Sequence, residues 1–466
     1  MPQIPLLSGI RTSQRADFVQ TYPVNLDPVS LDQGISKGYL RSTAGATTFG
    51  TGPGIGRGGI VFNDALHRVM GTKLVKIDGS GNGNVTVLGD VGGSGQCSFA
   101  LGFGRLAIRS STNYWYWDGA TLVQVTDPDL GQCIDLAWLN GQYFSTDGTY
   151  VIATDINDPT SVNPVRYGSA ESDPDKVTGL LPLRGEMYVF GKSSIEVQNY
   201  VGGSNFPLQS NPGATIPIGC VGPLAKILFA ESFAFVGAAR NDGLAVWIAS
   251  GGGATKISTR SIDDLLAAEV NPAGIQLERR VSRDEQKLIV HLSDRSVAFY
   301  RNATEKSGVP VWQELRSGRQ MDKPYRLRNA VYVDGQWICE DLESNKLGLL
   351  DEATGEQFGE AVGWSFQTEF AYNQANGFIV HGLELVGLPG RGQTGDASAF
   401  MSYSKDGQVW SQERAVSLGQ PNQRQKRVQW RPHSRMGNYA GFRFRGDSSA
   451  LAGWAALEAT VEPLAV

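Results

Sequence analysis

Residues 179–203, GLLPLRGEMYVFGKSSIEVQNYVGG, are two short apolar strands pinched together by Gly191-Lys192-Ser193-Ser194. Glu196 falls just inside the second strand, beside an aromatic tip. The stretch therefore has two readings: the rim of a catalytic pocket, or one tile in a body made of many. Six further stretches share its grammar of apolar strand, polar or glycine turn, apolar-aromatic strand, turn and apolar strand. They begin at Gly58, Phe99, Ile134, Lys226, Arg279 and Asn329. With the quoted tile opening at Thr178, the starts lie 41, 35, 44, 48, 53 and 50 residues apart.

Alternation rules inside these strands, as in Leu288-Ile289-Val290-His291-Leu292, and helical periodicity is nearly absent. The exception is SIDDLLAAEV at 261–270, where Ser261 is placed to cap a short helix and Asp263 and Asp264 suit its positive end. A repeat of about 40 to 50 residues built of short strands is the mark of a β-propeller blade. An isolated hairpin is marginal in water. Stacked radially, blades cover one another's faces, at about 25 cal/mol for each Å² of apolar area removed from water. Circular closure leaves only short, protected edges. A long β-sandwich and an irregular β-solenoid compete with this reading, but starts scattered from 35 to 53 residues apart are loose for a fixed rung. On the propeller reading Glu196 is a polar residue at a strand end.

The pattern changes near residue 362. WSFQTEFAYNQANGFIVHGLELVGLPG and the strands after it have a different spacing, and their length fits a β-sandwich. The predicted architecture is all-β: a propeller of about six to seven blades over 57–362, with a terminal blade open to completion by a distant strand, then a C-terminal sandwich over 363–466. Residues 1–56, with TYPVNLDPVSLDQG, read as an extended arm that packs on the sandwich platform or a neighbouring subunit.

Bulk composition excludes several classes. Apolar residues make up 41% and charged residues 19%, enough for a true core, and 58 glycines in 466 residues suit a chain that turns often. A net charge of −5 gives no global basic field for nucleic acid. Cys97, Cys133, Cys220 and Cys339 lie far apart without CxxC spacing, and read as buried thiols of a protein assembled in a reducing cytoplasm. MPQIPLLSGIRTSQ lacks the charged start and apolar stretch of a signal peptide, and no run is long enough for a membrane helix. A soluble chain is expected.

Catalytic signatures are sparse. His67, His291, His381 and His433 are scattered, with no HExxH spacing, and there is no nucleophile elbow and no P-loop. GTGPGIGRGG at 50–59 is followed by no helical pattern and reads as a linker. SKDGQVW at 404–410 resembles the Asp-box turn of sialidase propellers, and STDGTY at 145–150 is a second such turn; the aspartate there binds its own backbone and does no catalysis. Propeller glycosidases gather carboxylates and arginines at a central funnel. Sequence does not show whether Glu196, Asp135 and Asp242 converge, so a glycan hydrolase or lectin acting on host surface polysaccharide stands as the alternative function.

The sharpest feature is C-terminal. In KRVQWR, Val428 and Trp430 point one way and Arg427, Gln429 and Arg431 the other; in GFRFRG, Phe442 and Phe444 oppose Arg443 and Arg445. Seven Arg or Lys and no acid lie from Arg424 through Arg445, Arg435 among them. If these strands pair, one face carries like charges and needs counter-charges. Those could come from Glu458 and Glu462, which share a face with Thr460 in LEATVE, from a neighbouring subunit, or from nucleic-acid phosphate.

At these residues the chain resembles the packaged-DNA stabilisation proteins of short-tailed bacteriophages, the tail hub or nozzle factors, over nearly its whole length. The landmarks are YPVN at 22–25, GYLRS at 38–42, FGKSSIE at 190–196, SIDDLL from Ser261, and KRVQWR…MGNYAGFRFR. The resemblance implies a virion tail component without enzymatic activity, cofactor or metal. It implies a hexameric ring below the portal and its adaptor ring, which completes the channel for double-stranded DNA, retains the packaged genome without sequence specificity, and mounts a tail needle, fibres or tailspikes. Arg427, Arg431, Arg435, Arg443 and Arg445 then become candidates for the subunit interface. Rigid blades suit a wall, and heterologous contacts close identical subunits into rings.

Overall fold

The computed structural model describes residues 3–4, 6–11, 21–31, 36–78, 83–169, 175–250, 252–282, 285–373, 376–391, 397–432 and 434–464. Each quoted tile supplies the first strands of one antiparallel sheet, and seven such sheets stand in chain order. Blades 1 to 6 span residues 56–90, 98–124, 135–169, 179–210, 226–256 and 276–324. Blade 6 has five strands; the others have four. Blade 7 consists of Leu327–Val333, Gln336–Asp341 and Lys346–Asp351, with Gly45–Thr51 as its outermost strand. The register runs from Lys346 opposite Thr51 to Asp351 opposite Gly45.

Local chemistry sets the hairpins. The first turns of blades 3 and 7, Asn140-Gly141 and Asp334-Gly335, hold both central residues at positive φ (48° and 89°, 49° and 79°). That is the I′ geometry whose twist matches the flanking strands. Apolar residues of adjacent blades then interlock, as where Phe190, Phe233 and Phe235 of blades 4 and 5 meet edge to face.

The circle shuts between blades 7 and 1 through a buried polar cluster. The Glu340 carboxylate meets Arg68 at 2.8 Å and accepts from the Gly58 N–H and the Asn329 amide. Both ion-pair partners are withdrawn from water.

The sandwich has two sheets. One carries Leu26–Ser30, Gly38–Ser42, Gly453–Pro463 and Phe378–Gly387, with Val428–Trp430 and Ser434–Met436 paired to the far side of Phe378–Gly387. The other carries Gly363–Gln367, Tyr439–Asp447, Ala397–Ser404 and Arg414–Gly419. Trp364, Trp430, Trp454, Phe442 and Phe444 fill the space between them.

Residues 1–56 are divided within their own chain. Three of their strands, Gln3–Ile4, Leu26–Ser30 and Gly38–Ser42, lie inside the sandwich sheet, and a fourth, Gly45–Thr51, closes blade 7, ahead of the expected domain boundary at 56. Both sheets have an edge that can accept a ladder, and pairing there satisfies backbone groups that a free arm would leave to solvent. The short helix runs Arg260–Ala267 with Thr259 at the N-cap, so Ser261 lies inside it. Asp263 binds Lys256 and Ser258.

Candidate functional site

The quoted hairpin resolves into blade 4. Its pinch is held from outside: Asp175 accepts the Ser193 N–H and hydroxyl at 2.6 and 2.8 Å. Glu196 is buried on the third strand, opposite Val189 and beside Gln198. Asp135 is buried elsewhere, where its Oδ2 takes the Lys226 ammonium at 2.6 Å and the Leu180 N–H at 2.9 Å. This contact ties together the first strands of blades 3, 4 and 5. Asp242 lies exposed on a turn of blade 5. The three carboxylates therefore do not converge, and a structural role accounts for two of them.

The other chemical candidates divide similarly. His291 is fully buried between Glu278 at 3.0 Å and Ser296 at 2.8 Å. Burial, with Arg328 nearby, pushes its imidazole down to about 3. His67 bonds its own strand at Ala65, His381 pairs with Glu462, and His433 lies outside the described residues. The four cysteines are buried and unbridged. Among the described residues no cluster of His, Cys, Asp or Glu could hold a metal. Both Asp-box turns form: Asp406 accepts the Gln408 and Val409 N–H groups, and Asp147 those of Thr149 and Tyr150.

The arginine strands differ from the expected like-charge hairpin. Val428–Trp430 belongs to one sheet and Tyr439–Asp447 to the other. Trp430 and Phe444 face each other across the core, ring centres 5.3 Å apart. By strand alternation, Arg427 and Arg431 must leave on one side of the sandwich and Arg443 and Arg445 on the other. The apolar residues decide this, because pairing the two segments edge to edge would strip Trp430 and Phe444 of their cross-core partner.

The counter-charges come from outside the basic segment. Arg427 forms a forked pair with Glu384, whose carboxyl is lowered by that hydrogen bond. Arg445 forks onto Glu413 at 2.5 Å and lies over the Phe400 ring at 4.5 Å. Arg443 stacks 3.9 Å from the Trp410 ring centre, behind the Asp-box turn. Arg431 and Arg435 are exposed and have no ion-pair partner among the described residues. Glu462, expected as a counter-charge, is held by His381 at 2.8 Å. The alternation of Leu383-Glu384-Leu385 marks Glu384 as outward-facing, but not which strand lies beside it.

Polar chemistry concentrates at the junction of the two domains, where the landmarks YPVN and GYLRS fall. Asn25, held at φ 56°, gives its amide to Gly363 O of the sandwich and accepts the Arg316 N–H of blade 6. Asp27 is buried beneath it. It takes the Lys287 ammonium, the Tyr300 hydroxyl at 2.6 Å and the Thr43 hydroxyl at 3.0 Å. Burial alone would raise this carboxyl, but Lys287 and Tyr300 outweigh it and hold the group below 3.8. Arg41, on the sandwich strand Gly38–Ser42, crosses to Glu352 at 2.8 Å, and Ser282 of blade 6 also binds Glu352. Upstream, Ile10 is buried in the core of blades 5 and 6, its N–H on Trp312 O at 2.8 Å, while Leu6 and Leu7 pack on the sandwich. The N-terminal segment is a strap that fastens the sandwich to blade 6.

A family model described as "Bacteriophage P22 Gp10, beta-propeller" matches residues 2–355, and one described as "Bacteriophage P22 Gp10, beta-sandwich" matches 363–462. The tail hub protein gp10 of Salmonella phage P22 is 29% identical over 469 residues, covering 95% of this chain and 96% of that protein. Among solved structures, the N-terminal domain of Nup159 aligns with a TM-score of 0.41 at 9% identity, over 71% of this chain and 99% of its own. PorZ of Porphyromonas gingivalis aligns at 0.40 and 10% identity, over 80% of this chain and 46% of its own. Both domains, in the same order and joined at the same place, are matched by the two models: this chain belongs to the bacteriophage P22 Gp10 family, an N-terminal β-propeller followed by a C-terminal β-sandwich.

Proposed function

We propose that the chain is a structural subunit of a phage tail hub, without enzymatic activity, located in the tail of the virion. Its carrying observation is the match to the P22 tail hub protein along nearly the full length of both chains. In this reading six copies form a ring below a portal–adaptor assembly. The ring extends the channel for double-stranded DNA, retains the packaged genome, and mounts needle, fibre or tailspike proteins, with assembly in the host cytoplasm. The strap supports a load-bearing role, because the sandwich and propeller share a buried ion pair and backbone bonds and would move together. Among the described residues no helix is long and apolar enough to cross a membrane.

Of the arginines proposed for the ring contact, Arg427, Arg443 and Arg445 are already engaged within the chain. Arg431 and Arg435 carry the proposal instead. Electron microscopy of the purified protein, alone and with a portal–adaptor complex, tests the reading. Hollow rings are expected; a chain that stays monomeric with both and cleaves surface polysaccharide would overturn it.

A further inference from the structure

Two cavities lie along the seam between the domains, one on each side of the Arg41–Glu352 bridge. The first, about 770 Å³, has an apolar floor from Tyr39, Leu388 and Leu451, with Arg391 and Arg424 on its walls. The second, about 550 Å³, is walled by Tyr332, Trp337 and Leu350, with Arg279 at its edge. Glu352 belongs to both walls, and Arg41 of the first cavity reaches Ser282 of the second at 3.4 Å. They are thus two bays of one furrow, each of a size that takes ligand side chains.

The charges of the furrow do not balance. Asp27 is neutralised by Lys287, and Glu352 by Arg41. Arg280 is neutralised by Glu278. Asp351 is the wall acid outside these pairs, and its Oδ1 accepts the Ala353 N–H. Arg279, Arg391 and Arg424 have no carboxylate partner among the described residues; Arg424 makes one long contact, 3.5 Å, to Pro389 O. Guanidiniums standing beside an apolar floor, with aromatic rings in the second bay, match carboxylates interleaved with apolar side chains. Duplex DNA would want a broad cationic surface instead of two apolar bays.

We propose that this furrow docks an extended segment of a partner protein, with acidic and apolar residues in alternation. Apolar side chains enter the bays, and carboxylates meet Arg391 and Arg424 at one end and Arg279 at the other. The proposal concerns the single chain and does not depend on ring formation.

The test is fluorescence anisotropy with a labelled peptide of alternating Glu and Leu, against its Lys-Leu counterpart and a short DNA duplex. The Glu-Leu peptide should bind saturably and the Lys-Leu peptide should not. Arg391→Ala, Arg424→Ala and Arg279→Ala should each weaken binding about tenfold, the factor for losing one charge-assisted contact. Melting should be unchanged, since none of the three arginines forms an internal ion pair. The triple Arg→Glu variant should reverse the preference and take the Lys-Leu peptide, a gain that unfolding does not produce. Equal binding of the two peptides, or full binding by the triple alanine variant, overturns the proposal. Duplex bound more tightly than the Glu-Leu peptide and lost in that variant overturns it in favour of nucleic acid.

Discussion

Changing Lys287 to methionine removes the ammonium from a carboxylate with little solvent to replace it. The Lys287 side chain is 10% exposed and that of Asp27 2%, and Tyr300 and Thr43 supply only neutral hydrogen bonds. Breaking a buried pair from one side costs about 3–5 kcal/mol, because the remaining charge is stranded. Lys287→Met and Asp27→Leu should each fall in that range. The double variant should lose no more than about 2 kcal/mol, because two apolar side chains have no stranded charge and only the neutral hydrogen bonds go. Urea unfolding followed by tryptophan fluorescence gives the three free energies, and limited proteolysis shows whether the strap has loosened.

Acid should act in the same place. The folded Asp27 carboxyl is depressed, so its stabilisation is complete above the unfolded value near 3.8 and is lost as pH falls through the lower folded value. If either single variant costs less than about 1 kcal/mol, the level of an exposed pair, the junction is wet and the strap is not the lock inferred here.

Three further outcomes follow from the same geometry. His291 is held neutral in the fold and takes a proton near 6.5 once unfolded, so stability should fall with acidification below that pH. The slope approaches about 1.4 kcal/mol per pH unit, and His291→Gln should flatten it between about pH 6 and 5, where its carboxylate neighbours stay ionised; an unchanged slope refutes the assignment. Glu340→Ala strands buried Arg68 and two other donors at the seam of blades 7 and 1, and should cost about 3–5 kcal/mol with Glu340→Gln milder; calorimetry decides, and a loss below about 1 kcal/mol would mean that closure does not rest on this cluster. Arg431→Glu with Arg435→Glu should abolish rings in electron micrographs while leaving the melting temperature in place. Intact rings would retire these arginines as interface residues.

Sequence by itself determined the kind of matter this protein is made of. Alternation within short strands, turn residues such as Asn140-Gly141, and recurrence of one tile are local properties. Together they specify blades, because a lone hairpin cannot bury its faces and must stack. The aspartate turns at Asp147 and Asp406 were legible for the same reason: donor and acceptor lie two or three residues apart. Tertiary structure decided everything that joins distant parts of the chain. Gly45–Thr51 meets Lys346–Asp351, Asp27 meets Lys287, and Arg427 meets Glu384, each across a gap that no periodicity encodes. Alternation placed the arginines on one side of each strand, yet only the packing of Trp430 against Phe444 showed that the two sides face away from each other. A strand pattern fixes which face is apolar; which strand lies alongside follows from edges and charges that come together only when the chain has closed.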